Sequence, residues 1–130
     1  VSTSLAACLA YYPVTGDAWP GFRQGGFPMP AGATDEQWKA ATPATYIKSF
    51  PPTILHHGLA DTTVPPQSSF DFLKAAQAAG IASELHTLSG VPHAFINHPE
   101  LVELTARMND SFLERNVFSP KVYPPFGAGR

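Results

Sequence analysis

Apolar positions along the chain fall into two kinds of stretch: short unbroken runs, and longer segments where they return every third or fourth residue. Residues 5–14, LAACLAYYPV, are the first unbroken run, ended by Pro13 and Thr15-Gly16. A run of this length without alternation fits a strand covered on both faces, as in parallel sheets, and Pro13 argues against a helix. PPTILHHG, 51–58, reads as a second such strand, and IASELHTLS, 81–89, as a third that Gly90 ends. Residues 66–79 have helical spacing instead. Pro66 suits a first turn, Phe70, Leu73 and Ala76 or Gln77 follow the period, and Gly80 stops it. Residues 99–115 form a last amphipathic helix, with Leu101, Leu104, Met108 and Phe112 as its apolar stripe. Glu100, Glu103, Arg107 and Glu114 fall largely outside that stripe.

Residues 15–45 follow neither pattern at first. TGDAWPGFRQGGFPMPAGA, 15–33, has no period and is dense in Gly, Pro and aromatics, the make-up of a long loop that is functional or mobile. Thr34-Asp35-Glu36-Gln37 then reads as a capping box that starts a short helix, which should stop before Pro43. The tail, 117–130, is rich in Pro and Gly and is expected to be extended or frayed. Strand, helix, strand, helix with short joints predicts an α/β fold: a parallel sheet with right-handed crossovers. In such sheets chemistry collects at the carboxyl ends of the strands. Asp61 lies just past the second predicted strand and His93 just past the third, so the two belong to one rim, on neighbouring loops.

Composition narrows the function. At 130 residues the chain is one domain's worth, 44% hydrophobic and 14% charged with net charge −2. No basic face suits nucleic acid, and no apolar run approaches the ~20 residues of a membrane span. One cysteine rules out an internal disulfide but leaves the compartment unread. Leu5-Ala6-Ala7-Cys8 superficially resembles a lipoprotein processing site, yet the seven residues before Cys8 are too few for a targeting sequence. With Val1 first, the expectation is a processed product or a fragment, which would put any signal peptide out of view.

PPTILHHGLADTTVP, followed by a helix, a strand and GVPHAF, resembles the C-terminal half of an α/β-hydrolase. The resemblance is to the esterase, acetyl-esterase and dienelactone-hydrolase group and to the prolyl-oligopeptidase catalytic domain, over roughly residues 6–116. It implies that Asp61 is the acid and His93 the base of a catalytic triad, in the family order Ser, Asp or Glu, His. Asp61 alone reads better as a turn-capping carboxylate, and His93 alone suits an ordinary loop histidine. Together on one rim they read as catalytic.

The sequence departs from the family at the nucleophile. No serine is flanked by glycines as in the elbow G-x-S-x-G, and Ser2 and Ser4 precede the first strand. Cys8 would be a stand-in nucleophile, but it sits in AACLA without glycines and reads as a core cysteine. The oxyanion-hole donors belong to the same missing segments. The expectation is therefore a single partial domain over 1–130. It would supply acid and base to a serine esterase acting on a small ester through an acyl-enzyme, without cofactor or metal. Its partner would be the N-terminal half of the same domain, or another polypeptide covering the first strand. The resemblance also admits a serine peptidase, and the absent elbow admits a non-catalytic α/β-hydrolase-like module for binding or structure.

The remaining histidines, His56, His57, His86 and His98, are candidate metal ligands by residue type. Consecutive strand residues face opposite sides, so His56 and His57 cannot share an ion, and no carboxylate or cysteine stands at ligand spacing. Trp19, Phe22, Phe27, Met29 and Trp38 line an acyl or alcohol pocket or form a cluster packing the loop down; the sequence favours neither. Phe95 is expected to pack beneath the His93 loop.

Overall fold

Three parallel strands form one sheet in the computed structural model, which describes residues 4–16, 23, 29, 30 and 32–127. The strands are β1 (Cys8–Tyr11), β2 (Thr53–Gly58) and β3 (Ser83–Leu88), in that spatial order. Leu55 is level with Ala10 on one side and Leu85 on the other, and His56 with Tyr11 and His86. Helices α1 (Asp35–Ala41), α2 (Gln67–Ala78) and α3 (Pro99–Leu113) connect or follow them. This is the strand–helix order and parallel pairing that the hydrophobic pattern predicts.

Only the middle strand meets the expectation of cover on both faces. Every residue of β2 is buried. Leu9 of β1 is 41% exposed, and β3 is half-buried along most of its length. Among the described residues β1 and β3 each have one neighbouring strand, whereas β2 has two, which accounts for the difference.

The two faces of β2 have different chemistry because its side chains alternate. Leu55 packs with Phe72 and Ala76 of α2, and Ala10, Ile47, Phe50, Ile81 and Leu85 close around them. Phe50 meets Phe72 edge-on at 5.0 Å. Burying a side chain such as Phe72 stabilises by roughly 1.5–3 kcal/mol. The stripe of α2 is thus Phe72 and Ala76, rather than the expected Phe70, which is 42% exposed. Ser68 and Ser69 occupy its buried first turn because both bond to other segments.

On the other face the seam is polar. Thr105, Asn109 and Phe112 are the buried residues of α3, while the expected Leu104 is 39% exposed. His56 Nε2 lies 2.8 Å from Asn109 Oδ1, and Asn109 Nδ2 donates to the Tyr11 hydroxyl at 2.9 Å. Tyr11 in turn donates to Thr105 Oγ1 at 3.2 Å. A buried histidine on β2 selects a hydrogen-bonding face of α3 over its more apolar one.

The predicted capping box is present: Gln37 N donates to Thr34 Oγ1, and Thr34 N donates to Gln37 Oε1 at 2.8 Å. Helix α1 stops before Pro43, as expected, but the chain then continues as a 3₁₀ helix, Pro43–Ser49. Pro43 both ends one helix and starts the next, since a first-turn proline loses no hydrogen bond. Trp38 is buried and Met29 half-buried, while Trp19, Phe22 and Phe27 lie outside the described residues. Past Phe118 the tail has neither helix nor strand through Gly127, with Val122 and Phe126 almost fully exposed. No helix among the described residues is long and apolar enough to cross a membrane.

Candidate active site

β2 ends at Gly58, and the chain turns at once, with Asp61 N donating to Gly58 O. The Asp61 carboxylate is fully buried and its two oxygens have separate tasks. Oδ1 accepts the amides of Thr63 and Val64, at 2.9 and 2.8 Å, which fixes its direction. Oδ2 faces His93 Nδ1 at 2.7 Å. Burial pushes the carboxyl pKa up, but the His93 hydrogen bond, the two amides and the His93 charge outweigh it. The net shift is downward, so Asp61 is held ionised.

His93 reaches this position through a tight crossing of two loops. β3 ends at Leu88, Gly90 turns the chain at φ 71°, and Val91 O accepts the Ala60 amide at 3.0 Å. A Cβ on Gly58 would stand 2.1 Å from Val91 O, so the close approach requires glycine there. Ala94, next to His93, takes a left-handed conformation at φ 58°, and Phe95 beneath it is fully buried as expected. The imidazole itself stays 29% exposed on the rim. With Asp61 as acceptor, Nδ1 carries the hydrogen and Nε2 is the nitrogen left to take a proton.

A further histidine, His57, belongs to this site. His57 is fully buried behind Asp61, with Nε2 2.9 Å from Val64 O and 3.3 Å from Asp61 Oδ2. A carbonyl only accepts, so Nε2 carries the hydrogen, and Nδ1 accepts the Ser69 hydroxyl at 2.7 Å. His57 therefore fixes the Asp61 turn from below. Alternation along β2 puts it on the same face as Leu55, toward α2; what the sequence does not show is that the turn folds back over it.

Of the other histidines, His56 and His86 are level on adjacent strands with their rings stacked at 5.6 Å. His56 is buried on the α3 face, where burial, opposed by the Asn109 hydrogen bond and assisted by His86, lowers its pKa and keeps it neutral. His86 is half-buried beside Glu84, and His98 is exposed ahead of α3. Among the described residues no three His, Cys, Asp or Glu side chains gather at metal-binding distance. Cys8 begins β1, at the opposite end of the sheet from Asp61 and His93. It is half-buried against Thr53, and burial raises its thiol pKa against a lowering hydrogen bond from Thr53. Ser4 is exposed ahead of β1, and Ser2 lies outside the described residues.

A model of the prolyl oligopeptidase family matches residues 7–118, across the sheet and both loops. The chain belongs to the prolyl oligopeptidase family. Its fold is that of the α/β-hydrolases, and similar solved structures are esterases. Native Thermogutta terrifontis esterase 2 superposes with TM-score 0.68 at 27% identity, over 91% of this chain and 45% of the esterase. The same esterase phosphoramylated by tabun gives 0.69 at 28%, over 89% and 44%. Its propionate-bound form gives 0.68 at 28%, over 90% and 45%. The chain thus spans less than half the length of these esterases. Among curated proteins none matches significantly.

Proposed function

We propose that Asp61 and His93 are the acid and base of a serine esterase that cleaves small carboxylic esters through an acyl-enzyme. The observation that carries this reading is the 2.7 Å contact from His93 Nδ1 to Asp61 Oδ2, with the imidazole on the strand rim. Nε2 would take the proton of the attacking hydroxyl and return it to the leaving alcohol. Asp61 would hold the tautomer and stabilise the imidazolium without itself taking the proton. No metal or organic cofactor enters that chemistry. Short acyl groups are favoured because the related esterase is found with propionate and with butyrate bound.

No serine of the 130 residues stands in G-x-S-x-G. The attacking hydroxyl and the oxyanion donors are therefore assigned to polypeptide outside them, as the N-terminal half of one domain or as another chain. Leu5 and Leu9, 72% and 41% exposed, are apolar surface that such a neighbour of β1 would cover.

The test is ester hydrolysis by the protein expressed from its full coding sequence, with propionyl and butyryl p-nitrophenyl esters. Asp61→Asn should lower kcat on the order of 10³–10⁴-fold, because the imidazole loses its tautomer and charge partner. Full activity in Asp61→Asn would refute the assignment. Turnover of peptides but not of these esters would make the enzyme a peptidase, and no turnover of either would favour a non-catalytic module.

A further inference from the structure

Tyr12 takes a backbone conformation that few residues of its kind adopt. At φ 38° it lies in the left-handed region, where a bulky side chain is an outlier. Such conformations persist only where the surroundings over-determine them. Here they do. The Tyr12 amide donates to His56 O at 2.7 Å, extending the β1–β2 ladder by one residue. Immediately afterwards Ser68 of α2 fastens the chain. Its hydroxyl bonds Pro13 O at 2.9 Å and the Thr15 amide at 2.9 Å, and Thr15 Oγ1 donates to Ser68 O at 2.6 Å.

The bend delivers one contact. The Tyr12 ring centre lies 4.4 Å from that of His93, tilted by 57°, and 5.4 Å from Phe95, which it meets edge-on. The imidazole is therefore held in its plane by Asp61 at Nδ1 and flanked by the tilted Tyr12 ring. An aromatic ring at this distance limits rotation of the imidazole.

Resting on the base assignment above, we propose that Tyr12 is a positioning residue for His93. Its ring keeps Nε2 aimed at the proton it accepts. The ring, and not the hydroxyl, carries the effect.

The experiment measures kcat and KM for Tyr12→Phe, Tyr12→Leu, Tyr12→Gly and His93→Ala in the protein from the full coding sequence. Tyr12→Gly removes the ring while suiting the positive φ, so it separates the ring from backbone strain. Tyr12→Leu and Tyr12→Gly should each lose about 10–100-fold in kcat with KM within about threefold, the loss expected of a misplaced base. Tyr12→Phe should stay within about twofold of the unsubstituted protein on both constants. The ring-current shift of the His93 ring protons should persist in Tyr12→Phe and vanish in the other two.

Unchanged kcat in Tyr12→Gly, or a loss in Tyr12→Phe equal to that in Tyr12→Leu, would overturn the proposal. If that happens while His93→Ala abolishes turnover, the base assignment stands and only the role of Tyr12 fails. Full turnover in His93→Ala would remove both.

Discussion

Two residues of the site, Gly58 and Asp61, have replacements whose effect has a predictable direction. Gly58 admits the Val91 carbonyl where a Cβ would stand 2.1 Å away, and the neighbour is backbone, which yields little. Gly58→Ala should cost about 1–3 kcal/mol, as overpacking does, and should lower kcat by moving the His93 loop. Chemical denaturation and steady-state kinetics on the same variant check both effects. Asp61 gives a pH signature. Its folded pKa lies below the usual 3.8, so its ionised form stabilises the fold above that value, and the gain is lost as pH falls through the folded pKa. Asp61→Asn should therefore be less stable than the unsubstituted protein at pH 7, with the gap closing below about pH 4. Urea midpoints at pH 7 and pH 3 measure it. Asp61 and His93 were legible in the sequence because each follows an apolar run and a turn residue. Tyr12 was not, because its role comes from a positive φ, and residue type alone does not announce one in a tyrosine.

Helix α3 shows where hydrophobic pattern and packing part. Its sequence offers Leu101, Leu104, Met108 and Phe112 as one stripe, yet Thr105 and Asn109 are buried while Leu104 is 39% exposed. The reason is on β2: His56 is fully buried and needs a partner for Nε2, which Asn109 Oδ1 supplies at 2.8 Å. Asn109→Leu should cost about 1–3 kcal/mol despite being more apolar, because it leaves a buried donor unpaired. A fall in urea midpoint without a change in slope would bear that out, and an unchanged midpoint would show that the network adds little. Existence and order of the strands and α-helices could be read from unbroken apolar runs and the 3.6 period, since those depend on local sequence. Which helix face turns inward depends on a histidine some 50 positions away, which no local period contains.

At the scale of the molecule, the sheet order β1–β2–β3 leaves β1 with one strand neighbour among the described residues. Cys8 and Tyr12 direct their amides to Pro52 and His56, so by alternation Leu9 and Tyr11 direct theirs away from β2. Unpaired edges of this kind invite another strand. In the 130-residue chain alone, the Leu9 and Tyr11 amides should exchange with solvent faster than in the protein from the full coding sequence. Equal rates would count against a strand pairing there. The α/β architecture was legible from the order of runs and helices. The catalytic reading needed the two loops brought together, and it rests on the Asp61–His93 pair. The most direct test of that pair is labelling by a serine-directed fluorophosphonate. The protein from the full coding sequence should be labelled on one serine outside these 130 residues, with the rate reduced at least about 10³-fold by His93→Ala. Labelling of Ser2 or Ser4 in the 130-residue chain alone, or labelling indifferent to His93→Ala, would contradict the account.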